Sequence, residues 1–261
     1  MISIKSNKEI ERMREAGKLA AQVLDFIEPY IEPGISTGEI DRLCHDFIVK
    51  NNATPAPLNY HGFPKSVCAS VNDVVCHGIP SFEDILKSGD IVNIDVTVIL
   101  NGYHGDTSKT FCVGEVSSET RDLVTRTEEA MYQGIEAVKP GIYLYEVGRA
   151  IENYVKQFGY GVVRDYGGHG IGKNFHEPPD VFHYYTKENK IKLEKGMTFT
   201  VEPMINQGGS HRVITSGDDG WTVTTTDGGL SAQFEHTIAV TKKGYEVLTL
   251  GNSKFKNQNS K

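Results

Sequence analysis

The most informative segment of the sequence carries two aspartates, Asp95 and Asp106. Asn101-Gly102 lies between them, and this dipeptide favours a two-residue type I′ turn between antiparallel strands. Counting back from that turn, Thr97 lies opposite Asp106, and Asp95 shares its face because side chains alternate along a strand. The two carboxylates are then diagonal neighbours, with Cα atoms roughly 7–8 Å apart. Two carboxylates that face each other on an apolar sheet repel, so the pattern predicts a cation or a shared proton.

The chain also repeats itself at an offset of 107 residues. Residues 31–42 resemble residues 138–149, and residues 86–95 resemble residues 193–202. One short match would mean little, but two matches at the same offset indicate a duplicated half. A third echo, His-Gly-Ile, occurs at His77 and again in the second half at a different offset, because the loop between differs in length.

Three more residues extend the aspartate pair to a set of five. The repeat gives Glu202 the position of Asp95, and Glu235 lies on the following strand, as Asp106 does in the first half. His169 is flanked by glycines, which let the backbone approach closely and the ring project. Four carboxylates and one imidazole are too much negative charge for one divalent ion and suit two ions that share bridging carboxylates.

The chemistry of the set indicates which ions it would bind. Oxygen ligands with one nitrogen and no thiolate favour manganese, iron, cobalt or zinc. The spacing does not resemble an EF-hand loop, which argues against a calcium buffer. Each of the five residues taken alone is more typical of a solvated strand residue or a core histidine. Only their combination on equivalent strands predicts a metal site.

The elements that would position these residues follow the repeat. In each half, amphipathic helices precede β-branched strands, which predicts an α+β fold with helices outside a curved antiparallel sheet. Two pseudo-symmetric halves, about 8–115 and 119–250, would form one catalytic domain over residues 1–250, followed by a polar tail, 251–261. Helices are predicted at residues 10–24, 39–50, 123–131 and 145–158, and strands at residues 67–75, 91–100 and 198–205.

Composition limits the classes of function. The 261 residues carry a net charge of −7, which argues against a nucleic-acid substrate or a membrane surface. The start of the chain lacks the apolar segment of a signal peptide, and no apolar run is long enough to span a bilayer. The four cysteines show no paired spacing. These features predict a cytoplasmic protein with reduced thiols and without a membrane segment.

At these residues the sequence resembles the pita-bread metallopeptidases and, within them, the type I methionine aminopeptidases. The resemblance runs from about residue 5 to 250. It implies a pita-bread fold and makes the five residues above the ligands of two divalent ions, with Asp106 and Glu235 bridging both. The segments that carry it are residues 60–68, 71–80, 92–95, 102–106, 168–172, 200–203 and 231–235.

The resemblance also implies a division of labour in peptide hydrolysis. Metal-activated water attacks the first peptide bond, and Glu202 shuttles the proton. His176 donates a hydrogen bond to the scissile carbonyl oxygen, and His77 contacts the substrate backbone. The free α-amine binds the ion held by Asp95, with Thr97 nearby, which restricts cleavage to the chain terminus.

Selectivity for methionine would come from an apolar pocket. The chain departs from the family pattern at Pro57, where relatives often place a small thiol, and at Phe63, where tyrosine is frequent. The resemblance further implies a monovalent cation held by backbone oxygens near Asn72, Val74 and Ser231. The residues that match the methionine pocket are Tyr60, Phe63, Cys68, Phe175 and Trp221, although core packing is the more common role of such aromatics.

The expected activity is removal of the initiator methionine when the second residue is small. The implied partners are peptides and nascent chains that begin with methionine, and transiently the ribosome, with the enzyme itself a monomer. Prolidases and aminopeptidases P carry an additional amino-terminal domain, and type II methionine aminopeptidases carry an insertion where this chain has 32 residues between Glu202 and Glu235. Two alternatives stay open: an X-Pro exopeptidase and a non-catalytic pita-bread binding protein.

Overall fold

The structure is a computed structural model that describes residues 1–251. Within that range it contains four α-helices and fifteen strands. The helices are α1 (Asn7–Ile27), α2 (Thr37–Lys50), α3 (Ser118–Glu136) and α4 (Tyr145–Val155). The strands are β1 (Thr54–Pro55), β2 (Cys68–Val71), β3 (Val74–Cys76), β4 (Ile91–Leu100), β5 (Tyr103–Cys112), β6 (Gly161–Val162), β7 (Gly168–Gly170), β8 (Glu177–Val181), β9 (Thr198–Val201), β10 (Met204–Asn206), β11 (Val213–Thr215), β12 (Val223–Thr225), β13 (Ser231–Gln233), β14 (His236–Val240) and β15 (Tyr245–Val247).

The strands form two larger and two smaller antiparallel sheets. In the first large sheet β4 pairs with β1, β2 and β5, and in the second the order is β15-β14-β9-β7-β8. The smaller sheets have the orders β13-β10-β6 and β11-β12-β3. α1 packs on β4 and β5, whereas α3 packs on α4 and on strands of the second half. None of the described helices is both long enough and apolar enough to cross a bilayer.

The β4–β5 hairpin has the predicted register. Leu100 pairs with Tyr103 and Thr97 pairs with Asp106. Both turn residues have positive φ, 52° at Asn101 and 77° at Gly102, as a type I′ turn requires. The local sequence therefore determines which carboxylates share a face of this hairpin.

Backbone contacts recur at the offset of the sequence repeat. Gly34 N donates to Leu86 O at 2.8 Å, and Gly141 N donates to Leu193 O at the same distance. The isolated bridges Ser36↔Ile85 and Tyr143↔Lys192 are related in the same way. The division into halves at 8–115 and 119–250 stays a prediction, and these paired contacts support it.

Each pair of helices covers its own apolar core. The core beneath α1 and α2 includes Ile94, Val96 and Val98 of β4, and the core beneath α3 and α4 includes Phe199 and Ile238. Burying each such side chain contributes about 1.5–3 kcal/mol. These cores hold the strands whose opposite faces carry the polar residues of the site.

α1 approaches β5 more closely than a side chain would allow. A Cβ built on Gly105 would lie 2.3 Å from Gly17 N, so position 105 requires glycine at this crossing, whereas a Cβ on Gly17 would lie 2.4 Å from Leu248 O. Gly105 immediately precedes Asp106, and the close helix therefore fixes the backbone behind one carboxylate of the site.

Several predicted boundaries were wrong, each for a local reason. The strand predicted over residues 198–205 is two strands, because Pro203 interrupts the ladder between β9 and β10. Residues 67–75 form two strands, β2 and β3, separated by Asn72 with φ 56°. α4 ends at Val155 and a 3-10 turn continues to Phe158. α2 begins at Thr37, because Ser36 caps it. Apart from Gly251, the predicted polar tail lies outside the described residues.

Candidate metal centre and substrate pocket

A pocket of about 690 Å³ collects the residues that the sequence analysis selected. All five carboxylate and imidazole candidates line it, together with the residues expected to contact substrate. The former are Asp95, Asp106, His169, Glu202 and Glu235. The latter are Tyr60, Phe63, Cys68, His77, Thr97, Phe175, His176 and Trp221.

The two aspartates occupy the polar face of the β4–β5 hairpin. Asp95 lies between Cys68 on β2 and Ser108 on β5. Thr97 Oγ1 donates to Asp106 Oδ1 at 2.6 Å. Asp106 is 3% exposed, and its second carboxylate oxygen is directed toward His169. This orientation leaves one oxygen of Asp106 free to bind a cation.

His169 reaches the carboxylates from a stretch of backbone in which the flanking positions, 168 and 170, have no room for a side chain. A Cβ on Gly168 would lie 2.4 Å from Thr200 O, and one on Gly170 would lie 2.3 Å from Pro178 O. The His169 Nδ1–H donates to Gly170 O at 3.0 Å. That bond fixes the tautomer and directs the Nε2 lone pair into the pocket.

The donor atoms fit a cation better than they fit one another. His169 Nε2 lies 3.6 Å from Asp106 Oδ2 and 3.7 Å from Glu202 Oε1, too far for a hydrogen bond. Burial lowers the pKa of His169 to about 4, so Nε2 carries no proton at neutral pH. Asp106, His169 and Glu235 each offer one ligand atom, and these three atoms lie within 4.8 Å of one another. Three lone-pair donors facing a common centre are the arrangement that a metal ion requires.

Glu202 is held by residues that the sequence analysis missed. Thr200 Oγ1 donates to Glu202 Oε1 at 2.5 Å and accepts from His169 N at 2.9 Å. Gln233 Nε2 donates to Glu202 Oε2 at 3.2 Å, and the backbone N–H of Glu202 donates to His183 Nε2 at 3.0 Å. Thr200 and Gln233 each precede a predicted ligand by two residues. Strand alternation could therefore have identified them, whereas His183 gave no local signal.

Hydrogen bonds connect the backbone around Asp106 to the backbone around Glu235. Glu235 N donates to Ser108 O at 3.0 Å, and Thr107 Oγ1 donates to Glu235 O at 2.7 Å. Asp106 N donates to Thr237 Oγ1 at 3.2 Å, and Thr237 Oγ1 donates back to Asp106 O at 2.8 Å. These hydrogen bonds between residues 106–108 and residues 235–237 fix Asp106 and Glu235 relative to each other.

Burial leaves the four carboxylates without a compensating cation among the pocket residues. Desolvation raises the pKa of Asp95 to about 7. Desolvation first and neighbouring carboxylates second raise the pKa values of Asp106 and Glu235 well above their usual range. Desolvation is also the main reason that the pKa of Glu202 is raised well above its usual range. Among the described residues, Arg164 is the one Lys or Arg side chain that lines the pocket, and it is half exposed.

The raised pKa values predict how a divalent ion should change stability with pH. The metal-free fold is favoured while Asp95 is protonated, and this contribution is lost as pH rises from its ordinary pKa of 3.8 toward about 7. A divalent ion needs the carboxylates ionised and should reverse the loss. We expect saturating Mn²⁺ to raise Tm more at pH 8 than at pH 5, measured by calorimetry. An equal rise at both pH values would contradict this assignment.

His176 projects from the segment before β8. Its Nδ1 lies 2.8 Å from Tyr60 OH, and its ring centroid is 4.0 Å from that of His169. Burial is the main reason that the pKa of His176 is lowered to about 3, and neighbouring imidazoles lower it further. If Tyr60 donates to Nδ1, the neutral ring carries its proton on Nε2, which makes Nε2 a hydrogen-bond donor.

Aromatic side chains form a wall beside the carboxylates. Phe63 and Trp221 pack with ring centroids 5.3 Å apart, and Tyr60 and Phe175 pack at 4.9 Å. His77 has a positive φ of 56°, and its ring centroid lies 6.0 Å from that of Trp221. Cys68 and Met204 also line the pocket. The wall is apolar apart from a few ring nitrogens and hydroxyls, as a pocket for an apolar side chain requires.

The comparisons with known proteins decide the family. A model of metallopeptidase family M24 matches residues 11–242. The chain belongs to metallopeptidase family M24. Methionine aminopeptidase of Escherichia coli (strain K12) is 56% identical over 250 residues, which are 95% of this chain and 94% of that protein. As an M24 member with relatives of this kind, the chain is a metal-dependent aminopeptidase, as predicted.

Solved M24 structures confirm the α+β pita-bread fold. Methionine aminopeptidase from Rickettsia prowazekii superposes with a TM-score of 0.93 at 54% identity, over 96% of this chain and 100% of that one. An Xaa-Pro dipeptidase from Bacillus anthracis gives 0.75 at 27% identity, over 94% of this chain and 61% of that one. The M24 fold is therefore shared with X-Pro enzymes, whereas the high identity is to methionine aminopeptidases.

Proposed function

We propose that the protein hydrolytically removes the initiator methionine from peptides and nascent chains, with two divalent ions as cofactors. The observation that carries the proposal is the convergence of lone-pair donors beside an aromatic wall in one pocket. Cobalt, manganese, iron or zinc would suit this donor set. The residues that would hold the ions are Asp95, Asp106, His169, Glu202 and Glu235.

The bound ions would supply a water of lowered pKa and would polarise the scissile carbonyl. Glu202, held by Thr200 and Gln233, accepts the proton of the attacking water and returns it to the leaving amine. His176 Nε2–H donates to the carbonyl oxygen as negative charge develops there. His77, which lies next to Trp221, would contact the substrate backbone.

Substrate choice follows from the two ends of the pocket. The methionine side chain would pack against Tyr60, Phe63, Cys68, Phe175 and Trp221, and the free α-amine would lie beside Asp95 and Thr97. A neutral α-amine would offer its lone pair to the ion that Asp95 would hold, which would restrict cleavage to the chain terminus. A long second side chain would collide near His77, so small second residues are preferred.

A monovalent cation is a further proposed cofactor. Ser231 Oγ and Asn206 Oδ1 are buried and hydrogen-bond to no group among the described residues. The two residues are paired between β10 and β13, and Ser231 N donates to Asn72 O at 2.9 Å. With the carbonyl of Val74 nearby in sequence, these oxygens form the donor set that a sodium or potassium ion accepts.

The cellular context follows from this activity and is proposed with it. The protein would act in the cytoplasm as a monomer and meet its substrates at the ribosome. It would not use a nucleic acid as substrate. X-Pro hydrolysis is the weaker alternative, since the Xaa-Pro dipeptidase from Bacillus anthracis has a lower identity and TM-score than the methionine aminopeptidase from Rickettsia prowazekii.

A panel of peptides tests the proposed activity and the pocket together. Norleucine is unbranched and similar in length to methionine, and a shape-matched apolar pocket discriminates even a one-methylene change by only about 1–3 kcal/mol. Norleucine-Ala-Ser should therefore be cleaved with a modest loss relative to Met-Ala-Ser. Leu-Ala-Ser should be cleaved poorly because of its branch. Lys-Ala-Ser should fail because the pocket offers no partner for a buried charge.

Values of kcat/KM for these peptides, for Met-Lys-Ser and for an Ala-Pro peptide decide between the alternatives. Equal cleavage of Lys-Ala-Ser and Met-Ala-Ser would identify a broad aminopeptidase. Rapid cleavage of Met-Lys-Ser would show that the region near His77 does not exclude long side chains at the second position. Preferential cleavage of the Ala-Pro peptide would favour the X-Pro alternative.

A further inference from the structure

A buried ion pair lies directly behind the segment that carries His176. Lys5 Nζ contacts Glu177 Oε1, and the two side chains are 4% and 10% exposed. Lys5 precedes α1, whereas Glu177 follows His176 and begins β8. The pair therefore joins the amino-terminal segment of the chain to the edge of the pocket, which Glu177 also lines.

The lysine is fixed before it reaches its partner. Lys5 N donates to Gly196 O at 2.8 Å, and Lys5 Nζ also donates to Ser3 O at 3.3 Å. Its side chain passes over Gly172, where a Cβ would lie 2.7 Å from Lys5 Cε. The absence of a side chain at Gly172 opens the path along which the ammonium reaches Glu177.

The other end of the segment is held by β5. Gly172 O accepts hydrogen bonds from His104 N at 2.9 Å and from His104 Nδ1 at 3.1 Å. Phe175 stacks on the His104 ring with centroids 5.7 Å apart. The segment 172–177 is thus hydrogen-bonded to β5 at Gly172 and ion-paired to Lys5 at Glu177, and Phe175 and His176 lie between these two contacts.

Loss of the ion pair between Lys5 and Glu177 should displace the segment 172–177. Removing one partner of a buried ion pair leaves an uncompensated charge, which is strongly unfavourable. Glu177 without Lys5 would regain hydration by moving toward the pocket or the surface. His176 is the adjacent residue and would move with it.

We propose that Lys5 is a positioning residue for His176 and that it acts through its ion pair with Glu177. The inference rests on the proposed function, because it assumes that His176 contacts the scissile carbonyl. A displacement near 1 Å can cost about 10²-fold in rate. Lys5 would therefore affect turnover without contacting substrate.

Lys5→Met tests the inference, with Arg42→Met as the control. Arg42 forms ion pairs on the exposed surface of α2. We expect Lys5→Met to lower kcat for Met-Ala-Ser by about 10- to 100-fold, with KM changed less than threefold and metal content unchanged. Arg42→Met should leave kcat unchanged. Lys5→Met with normal kcat, or an equal loss in both variants, would overturn the proposal.

Glu177→Gln and the double variant Lys5→Met/Glu177→Gln complete a cycle that a general loss of stability would not mimic. If the two residues act through one pair, the double variant loses no more kcat than the worse single variant. Multiplicative losses would show that they act independently and would contradict the proposal.

Hydrogen exchange of metal-free protein gives a readout that does not depend on activity. Lys5→Met should speed exchange in peptides covering residues 172–177 and leave peptides from α3 unchanged. Unchanged exchange at residues 172–177 would contradict the inference even if the proposed function holds. Wild-type protein that fails to cleave Met-Ala-Ser would contradict the proposed function and leave this exchange test intact.

Discussion

Glu202→Gln should lower kcat/KM for Met-Ala-Ser by about 10⁴-fold, the upper end of what a positioned general base contributes. The amide cannot accept the proton of the attacking water, and it replaces an ionised ligand with a neutral one. It also conflicts with its surroundings, because Thr200 Oγ1 and Gln233 Nε2 both donate to the Glu202 carboxylate. The NH₂ group of glutamine would face one of these donors.

Steady-state kinetics with metal analysis on the same samples measure both effects. Metal content should fall together with turnover, since one residue has both roles. Thr200→Val is the control, because it removes one hydrogen bond to Glu202 and keeps the carboxylate. Its loss should be far smaller. Turnover of Glu202→Gln within tenfold of wild type would show that Glu202 is not the proton acceptor.

His176→Ala should lower kcat by about 10²–10³-fold, the cost of losing one donor to a developing oxyanion. Metal binding should be unchanged, because His176 is not one of the five proposed ligands and its Nδ1 lies 2.8 Å from Tyr60 OH. Its effect should appear in kcat more than in KM, since the hydrogen bond strengthens in the transition state.

Tyr60→Phe is the matched variant for this prediction. It removes the hydroxyl that lies 2.8 Å from His176 Nδ1 and keeps the aromatic wall. Its kcat should fall, but less than that of His176→Ala, because the imidazole would keep its donor and lose only its preferred tautomer. Loss of metal from His176→Ala, with normal activity per bound ion, would place His176 among the ligands instead.

Local sequence patterns were enough to predict the hairpin that carries Asp95 and Asp106. The Asn101-Gly102 turn determines the register, and strand alternation determines the face. The repeat then related Glu202 to Asp95 without any structural information. The turn and the strand alternation are local patterns, and the repeat is a comparison of the sequence with itself. Both can therefore be detected in a single sequence.

Other features depend on contacts between distant parts of the chain. His183 accepts the backbone N–H of Glu202 and Lys5 pairs with Glu177, and no periodicity marks either residue. The pocket aromatics were assigned only through family resemblance, because an aromatic that lines a pocket and one that fills a core look alike in sequence. The break at Pro203 was missed because the apolar pattern continues across it.

Metal-stripped protein, titrated with Mn²⁺ or Co²⁺ and assayed on Met-Ala-Ser, tests the central claim most directly. We predict no detectable cleavage before metal is added. Activity should appear as divalent ions bind, and calorimetry should find two sites per chain in wild type. Asp106→Ala, which removes a proposed metal ligand, should bind metal weakly and remain inactive. Full cleavage of Met-Ala-Ser by protein shown to be free of metal would contradict the proposed mechanism.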